Sequence, residues 1–140
     1  MSYLLDSSAA IDLIRGHDLT CRAAFADAVA RGRRIALATI ALLELRVGVA
    51  KSADPARNEA LLDELLAGPV EVWPFDLDDV AEAALVRVEL ERAGLGIGPY
   101  DTLIAGQARA RGLTVVASNL REFARVPGLA TVDWSKERSI

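Results

Sequence analysis

The stretch Tyr3-Leu4-Leu5-Asp6-Ser7-Ser8 sets apolar residues, then a carboxylate, then two small hydroxyl residues in direct succession. A short apolar run that stops on an acid reads as a buried strand turning straight into a helix. In open parallel sheets, ligands bind just beyond the carboxyl ends of the strands. An acid at that point is therefore either a helix cap or a ligand for something charged.

The rest of the chain repeats this alternation. A helix is expected over 9–14, closed by Arg15-Gly16, and a second over 18–30, capped by Asp18 and stopped at Arg31-Gly32. Arg34 to Ala38 reads as a strand, and Thr39 can cap a helix reaching about Ala50. Asp54-Pro55 opens a helix that ends before Gly68-Pro69, and Val70 to Phe75 reads as a strand interrupted at Pro74. A long helix follows from Asp76 to about Ala93, then a loop with Gly94, Gly96 and Gly98, then a helix from Pro99 to Arg111. Leu113 to Ala117 is a fourth strand, 120–125 a short helix, and Ala130 to Asp133 a fifth, edge strand. Strands alternating with helices predict a three-layer α/β fold with a mainly parallel five-stranded sheet flanked by helices.

At 140 residues, 52% apolar and 26% charged, the chain is expected to form one globular domain over 1–140. No uncharged run approaches the roughly 18 residues of a membrane span. Met1-Ser2-Tyr3 does not resemble a signal peptide, and the single Cys21 excludes an internal disulfide and a cysteine zinc site. A cytoplasmic location is the expectation. The net charge of −4 argues against a generally basic, DNA-coating surface. Yet the basic residues are almost all arginine, with only Lys51 and Lys136 as lysines. That choice suits bidentate phosphate contacts, and GC-rich coding would produce the same bias.

The anomalies are acids on apolar faces. After Thr39, the residues Ile40, Leu43, Val47 and Ala50 are expected to form a buried stripe, and Glu44 falls on it. After Pro99, Ile104, Ala105 and Ala108 line one side, with Asp101 a turn before Ile104. Burying an unpaired carboxylate costs several kcal/mol, by order of magnitude. Taken singly, Asp6 reads as a cap or turn residue more readily than as a ligand, Asp101 can be a charge offsetting the helix dipole, and Glu44 can be a partner for Arg46 or a distant arginine. Taken together, all three lie where a doubly wound sheet can converge them on one edge. Converging carboxylates without histidine or cysteine make a hard oxygen site, suited to Mg²⁺ or Mn²⁺ rather than zinc.

Leu5-Asp6-Ser7-Ser8, 43–48 (Leu-Glu-Leu-Arg-Val-Gly) and 97–105 (Ile-Gly-Pro-Tyr-Asp-Thr-Leu-Ile-Ala) resemble the acidic motifs of PIN domains. The stretches 112–116, 118–123, 126–129 and 132–134 continue the match, and together they are similar to the VapC toxins of bacterial toxin–antitoxin pairs. The resemblance implies a PIN-like fold and a Mg²⁺-dependent endoribonuclease that cleaves RNA phosphodiesters, silenced by a cognate VapB-type antitoxin. By position it carries catalytic and metal-binding roles onto Asp6, Glu44 and Asp101, and a supporting one onto Ser8. The fourth acidic position of many PIN domains falls at Asn119, a departure, with Glu122 one turn further on. Arg15, Arg46, Arg121 and Arg125 are candidate RNA contacts. Homodimers are usual among VapC proteins, and the helices 56–66 and 81–90 offer candidate contact faces.

Other features carry less. The glycine loop follows a helix rather than a strand, so flexibility is its expected role rather than phosphate binding. His17 reads as an exposed turn residue, Cys21 as core, Trp73 and Trp134 as packing near sheet edges, and Glu82, Glu89 and Glu91 as a solvated helix face. Two rival readings exist. One is a receiver-like signalling domain phosphorylated at Asp76, which lacks a well-placed lysine. The other is a catalytically inactive PIN scaffold, supported by Asn119 alone.

Overall fold

The computed structural model describes residues 1–135. Strand β1 (Ser2–Leu5) lies at the centre of a parallel sheet with β2 (Arg34–Ala38), β3 (Val70–Trp73), β4 (Thr114–Val116) and β5 (Ala130–Val132). The spatial order is β3-β2-β1-β4-β5. The chain thus steps outward from β1 to β3, then crosses back to place β4 on the other side of β1. That reversal makes the β1–β4 boundary a topological switch point, where the crevice beyond the strand ends is open. Parallel neighbours need long crossovers, and six helices supply them: α1 (Ser7–Arg15), α2 (Leu19–Ala30), α3 (Thr39–Lys51), α4 (Pro55–Ala67), α5 (Leu77–Arg92) and α6 (Pro99–Arg111). The three-layer α/β expectation holds.

The central strands are apolar because both faces are covered. Leu4, Leu5, Ala36, Leu37, Val115 and Val116 are fully buried. Cys21 is core as expected, and Trp134 is buried against the edges of Tyr3 and Phe25. Helices α5 and α6 pack so closely that a Cβ on Gly106 would sit 2.4 Å from the Ala83 Cα. No helix among the described residues is long and apolar enough to cross a membrane.

Several local expectations are corrected. On α3 the buried face is Ala41 and Leu45, with Val49 half-buried, whereas Leu43 and Val47 are 49% and 45% exposed. The helix was phased wrongly because its sequence is apolar nearly all round, so periodicity could not select a face. Thr39 is the first helical residue and not the cap; Ala38 occupies that position without a side-chain bond. Strand β3 ends at Trp73 rather than Phe75, since Pro74 has no N–H for the ladder. The expected helix over 120–125 is a turn followed by one 3₁₀ turn, Phe123–Arg125. Glu82 and Glu89 are not merely solvated: both pair with Arg109, at 2.7 and 2.6 Å. Of the two candidate contact faces, α4 spends Leu62, Leu65 and Leu66 on the core, while α5 leaves Val80, Leu85 and Val88 exposed.

Candidate functional site

Asp6 follows β1 directly and caps α1, one carboxylate oxygen accepting from the Ala9 N–H at 2.9 Å and the Ser8 hydroxyl at 2.7 Å. Its own N–H donates to the Val116 carbonyl of β4. Ser8 in turn accepts from the Ser118 N–H at 3.0 Å, tying the ends of β1 and β4 together across the switch point. The cap and ligand readings are therefore compatible: capping uses one oxygen of Asp6 and leaves the other.

Asp6 is only 7% exposed, and its pKa is pushed up to about 6. Burial is the main cause and the Glu44 charge adds to it, against the opposing hydrogen bonds from Ser8 and Ala9. Asp101, in the first turn of α6, is pushed up to about 7. Burial leads again, followed by Glu122 and the charges of Asp6 and Glu44. Glu44 is raised by burial, partly offset by the Ser7 hydroxyl, and its Oε1 is buried with no hydrogen-bond partner among the described residues. The three acids expected from the sequence thus lie within electrostatic reach of one another.

Glu122 completes the group. Its Oε1 accepts from the Gly98 N–H at 2.9 Å, and its carboxylate lies close enough to the Asp101 carboxyl for each to shift the other's pKa. The Gly98 and Asp101 contacts, then the Arg125 and Arg121 charges, hold its pKa below the ordinary glutamate value. Asn119, by contrast, is exposed and spends its Oδ1 on the Arg121 N–H, an Asx turn. Of the two candidates for the fourth acidic position, only Glu122 reaches the cluster.

The arginines part company. Arg15 and Glu44 line one hollow between α1 and α3. Arg46 is paired with Glu59 of α4, so it neither neutralises Glu44 nor lies free for a phosphate. Arg121 is exposed, and Arg125 donates to the Gly96 carbonyl at 3.0 Å. Asp76, the acceptor in the receiver reading, belongs to an ion-pair group with Arg111 instead of the acid cluster. Among the described residues, no arginine or lysine forms an ion pair with Asp6, Glu44 or Asp101.

Two contributors escaped the sequence reading: Ser7, which faces Glu44, and Ser118, whose N–H braces Ser8. The signal for Ser7 was present in Asp6-Ser7-Ser8. That for Ser118 was not, because its partner lies 110 residues away.

Among the described residues, no three Asp, Glu, His or Cys side chains already stand in metal-ligating geometry. The donor set nonetheless fits a hard cation. It is all carboxylate oxygen, it contains the Glu44 Oε1, which has no hydrogen-bond partner among the described residues, and burial with neighbouring carboxylates raises Asp101, a penalty that a bound cation would relieve.

Comparison with known proteins places the chain in a family. The PIN domain model matches residues 3–129, and the chain belongs to the PIN-domain family. Within that family it is homologous to the VapC toxins. It is 43% identical over 101 residues to the tRNA(fMet)-specific endonuclease VapC of Salmonella typhimurium, covering 72% of this chain and 76% of that one. It is 36% identical over 135 residues to the protein of the same name from Shigella flexneri, covering 96% and 99%. Among solved structures, a chain of the DNA-bound VapBC complex from Salmonella typhimurium superposes with a TM-score of 0.87 at 36% identity, over 96% of this chain and 98% of that one. A chain of VapBC2 from Rickettsia felis, bound to a promoter DNA fragment, gives 0.89 at 34% identity, over 96% and 99%.

Proposed function

We propose that this chain is a divalent-metal-dependent endoribonuclease, the toxin partner of a VapB-type antitoxin. The observation that carries this reading is the convergence of Asp6, Glu44, Asp101 and Glu122 beyond the ends of β1 and β4, with no arginine or lysine among the described residues paired to the first three. Asp6, Glu44 and Asp101 are proposed to hold Mg²⁺, or Mn²⁺ in its place, with Glu122 as the fourth carboxylate. When bound, such an ion supplies an activated water and offsets charge on the scissile phosphate.

The chain's own residues set the geometry. Ser8 and the Ala9 N–H hold one oxygen of Asp6, and the second is left without a hydrogen bond among the described residues. Burial and the neighbouring carboxylates push the Asp101 pKa up to about 7, so its ionisation, which readies the site, falls close to neutrality in the metal-free protein. Without a cation the acids repel an RNA backbone. Arg15 and Arg121 are the remaining candidates for phosphate contacts, since Arg46 and Arg125 already have partners. An antitoxin segment laying a basic side chain among the acids would silence the site by the same charge complementarity. The exposed apolar face of α5 is the proposed homodimer contact.

RNA is the proposed substrate class, and tRNA is the first RNA to try, because the Salmonella and Shigella relatives are named for tRNA(fMet). The test uses antitoxin-free protein on tRNA and total RNA with Mg²⁺, Mn²⁺ or EDTA, beside Asp6→Asn. Metal-dependent cutting that Asp6→Asn loses supports the reading. Equal cutting by the variant, or cutting in EDTA, overturns it. Absence of both cutting and calorimetric Mn²⁺ binding would favour the inactive scaffold.

A further inference from the structure

The 3₁₀ turn after β4 is anchored in the core by Phe123 and Val126, both nearly fully buried. In a 3₁₀ turn, residues three apart eclipse one another, so Glu122 and Arg125 project on the same side. Both reach the glycine loop that precedes α6, and their charges match what they meet. The Glu122 carboxylate takes the Gly98 N–H at 2.9 Å, and the Arg125 guanidinium gives to the Gly96 carbonyl at 3.0 Å. Gly98 is the N-cap of α6, its carbonyl accepting from both the N–H and the hydroxyl of Thr102 at 3.0 and 2.9 Å. Asp101 lies in that same first turn.

We infer that Glu122 and Arg125 form a two-point strap that clamps the Gly96–Gly98 backbone, and that Arg125 is thereby a positioning residue for Asp101 and not an RNA contact. A loop with glycine at 94, 96 and 98 has little rigidity of its own. Left free, it would let the start of α6, and with it Asp101, drift relative to Asp6 and Glu44. The strap holds the loop from a segment that is itself fixed in the core. Groups that orient metal ligands typically change metal affinity about 10- to 100-fold when removed.

The inference rests on the proposed metal site, and its test separates the two. Arg125→Gln and Arg125→Met both remove the donor to Gly96 while leaving the buried anchors Phe123 and Val126 in place. Hydrogen exchange of the Gly98 amide, Mn²⁺ affinity by calorimetry, and the kcat and KM of RNA cleavage are measured on each, beside Arg121→Gln and Arg125→Lys. The strap predicts faster Gly98 exchange, Mn²⁺ affinity weaker by about tenfold, a lower kcat at nearly constant KM, and recovery in Arg125→Lys. A raised KM with a flatter salt dependence, at unchanged Mn²⁺ affinity and Gly98 exchange, would make Arg125 an RNA contact and overturn the strap. Should the wild-type protein neither bind Mn²⁺ nor cut RNA, the nuclease reading fails. Gly98 exchange in the two variants still decides whether the strap exists.

Discussion

Two buried groups of carboxylates in this molecule behave in opposite ways. Asp79 on α5 is 0% exposed, yet Arg111 meets it twice, at 3.1 and 2.6 Å, and it also accepts from the Asp76 N–H. Burial alone would raise its pKa; the Arg111 contacts and the capping bond outweigh that and lower it. Around Asp6 and Asp101 burial is joined by neighbouring carboxylates and, among the described residues, by no cationic partner; the Ser8 and Ala9 hydrogen bonds to Asp6 do not make up for it, and both acids are raised. A buried acid with its counter-charge built in serves the fold, joining α5 to the end of α6. A buried acid with no counter-charge among the described residues is left unsatisfied, and the proposed metal site rests on that contrast.

The contrast breaks most sharply at Asp101. Asp101→Asn is expected to cut RNA cleavage by about 10³-fold, roughly 4 kcal/mol of barrier, while the thermal midpoint of the metal-free protein holds or rises. A matching fall in stability and activity would mean that Asp101 serves the fold, as Asp79 does. At the other site the signs reverse. Arg111→Met strands Asp79 and should cost about 3 kcal/mol in urea unfolding, and the double variant Asp79→Leu, Arg111→Met should recover most of it. A negligible loss in the single variant would deny the pairing its structural role.

Added cation sharpens the same comparison. Free Mn²⁺ at a hundred times its dissociation constant should stabilise the wild type by about 2.7 kcal/mol. Asp101→Asn should gain far less, and equal gains in a melting assay would place the cation elsewhere. The dependence on pH is smaller and has two signs. Because Asp101 and Asp6 are raised to about 7 and about 6, the stability tied to their protonated forms is present at low pH and is lost as pH rises through those values. Metal-free protein should therefore melt lower at about pH 8 than at about pH 5.5, a slope that Asp101→Asn reduces. Asp79 is depressed, so its contribution is present above the ordinary aspartate pKa and disappears only in stronger acid. The least effect is expected at Asn119, whose side chain holds one exposed turn: Asn119→Ala should shift stability by under about 0.5 kcal/mol and leave cleavage within a factor of about two.

Local chemistry was enough to place most of this molecule. Apolar runs bounded by glycine, proline and capping residues located all five strands and six helices, because strand periodicity, caps and breakers act over a few residues. The acids at 6, 44 and 101 were legible from local pattern as well: Asp6 ends an apolar strand, and Glu44 and Asp101 interrupt apolar helices, although the face assigned to Glu44 was not the buried one. Ambiguity arose where local signals are degenerate. The α3 face could not be chosen from a helix apolar on every side, and Asn119 could not be separated from Glu122 by counting turns.

Those choices were made by contacts between distant segments. The strand order set Asp6 beside Ser118, the crossing of α5 and α6 gave Asp79 its arginine, and the core anchoring of Phe123 brought Glu122 onto Gly98. The sequence by itself marked Asp6, Glu44 and Asp101 as carboxylates set among apolar residues, and it left the fully buried Asp79 unmarked. Only the tertiary structure decided which of them would meet a cation within the chain, since an ion pair depends on where two remote side chains end and neither one's neighbours in sequence record it.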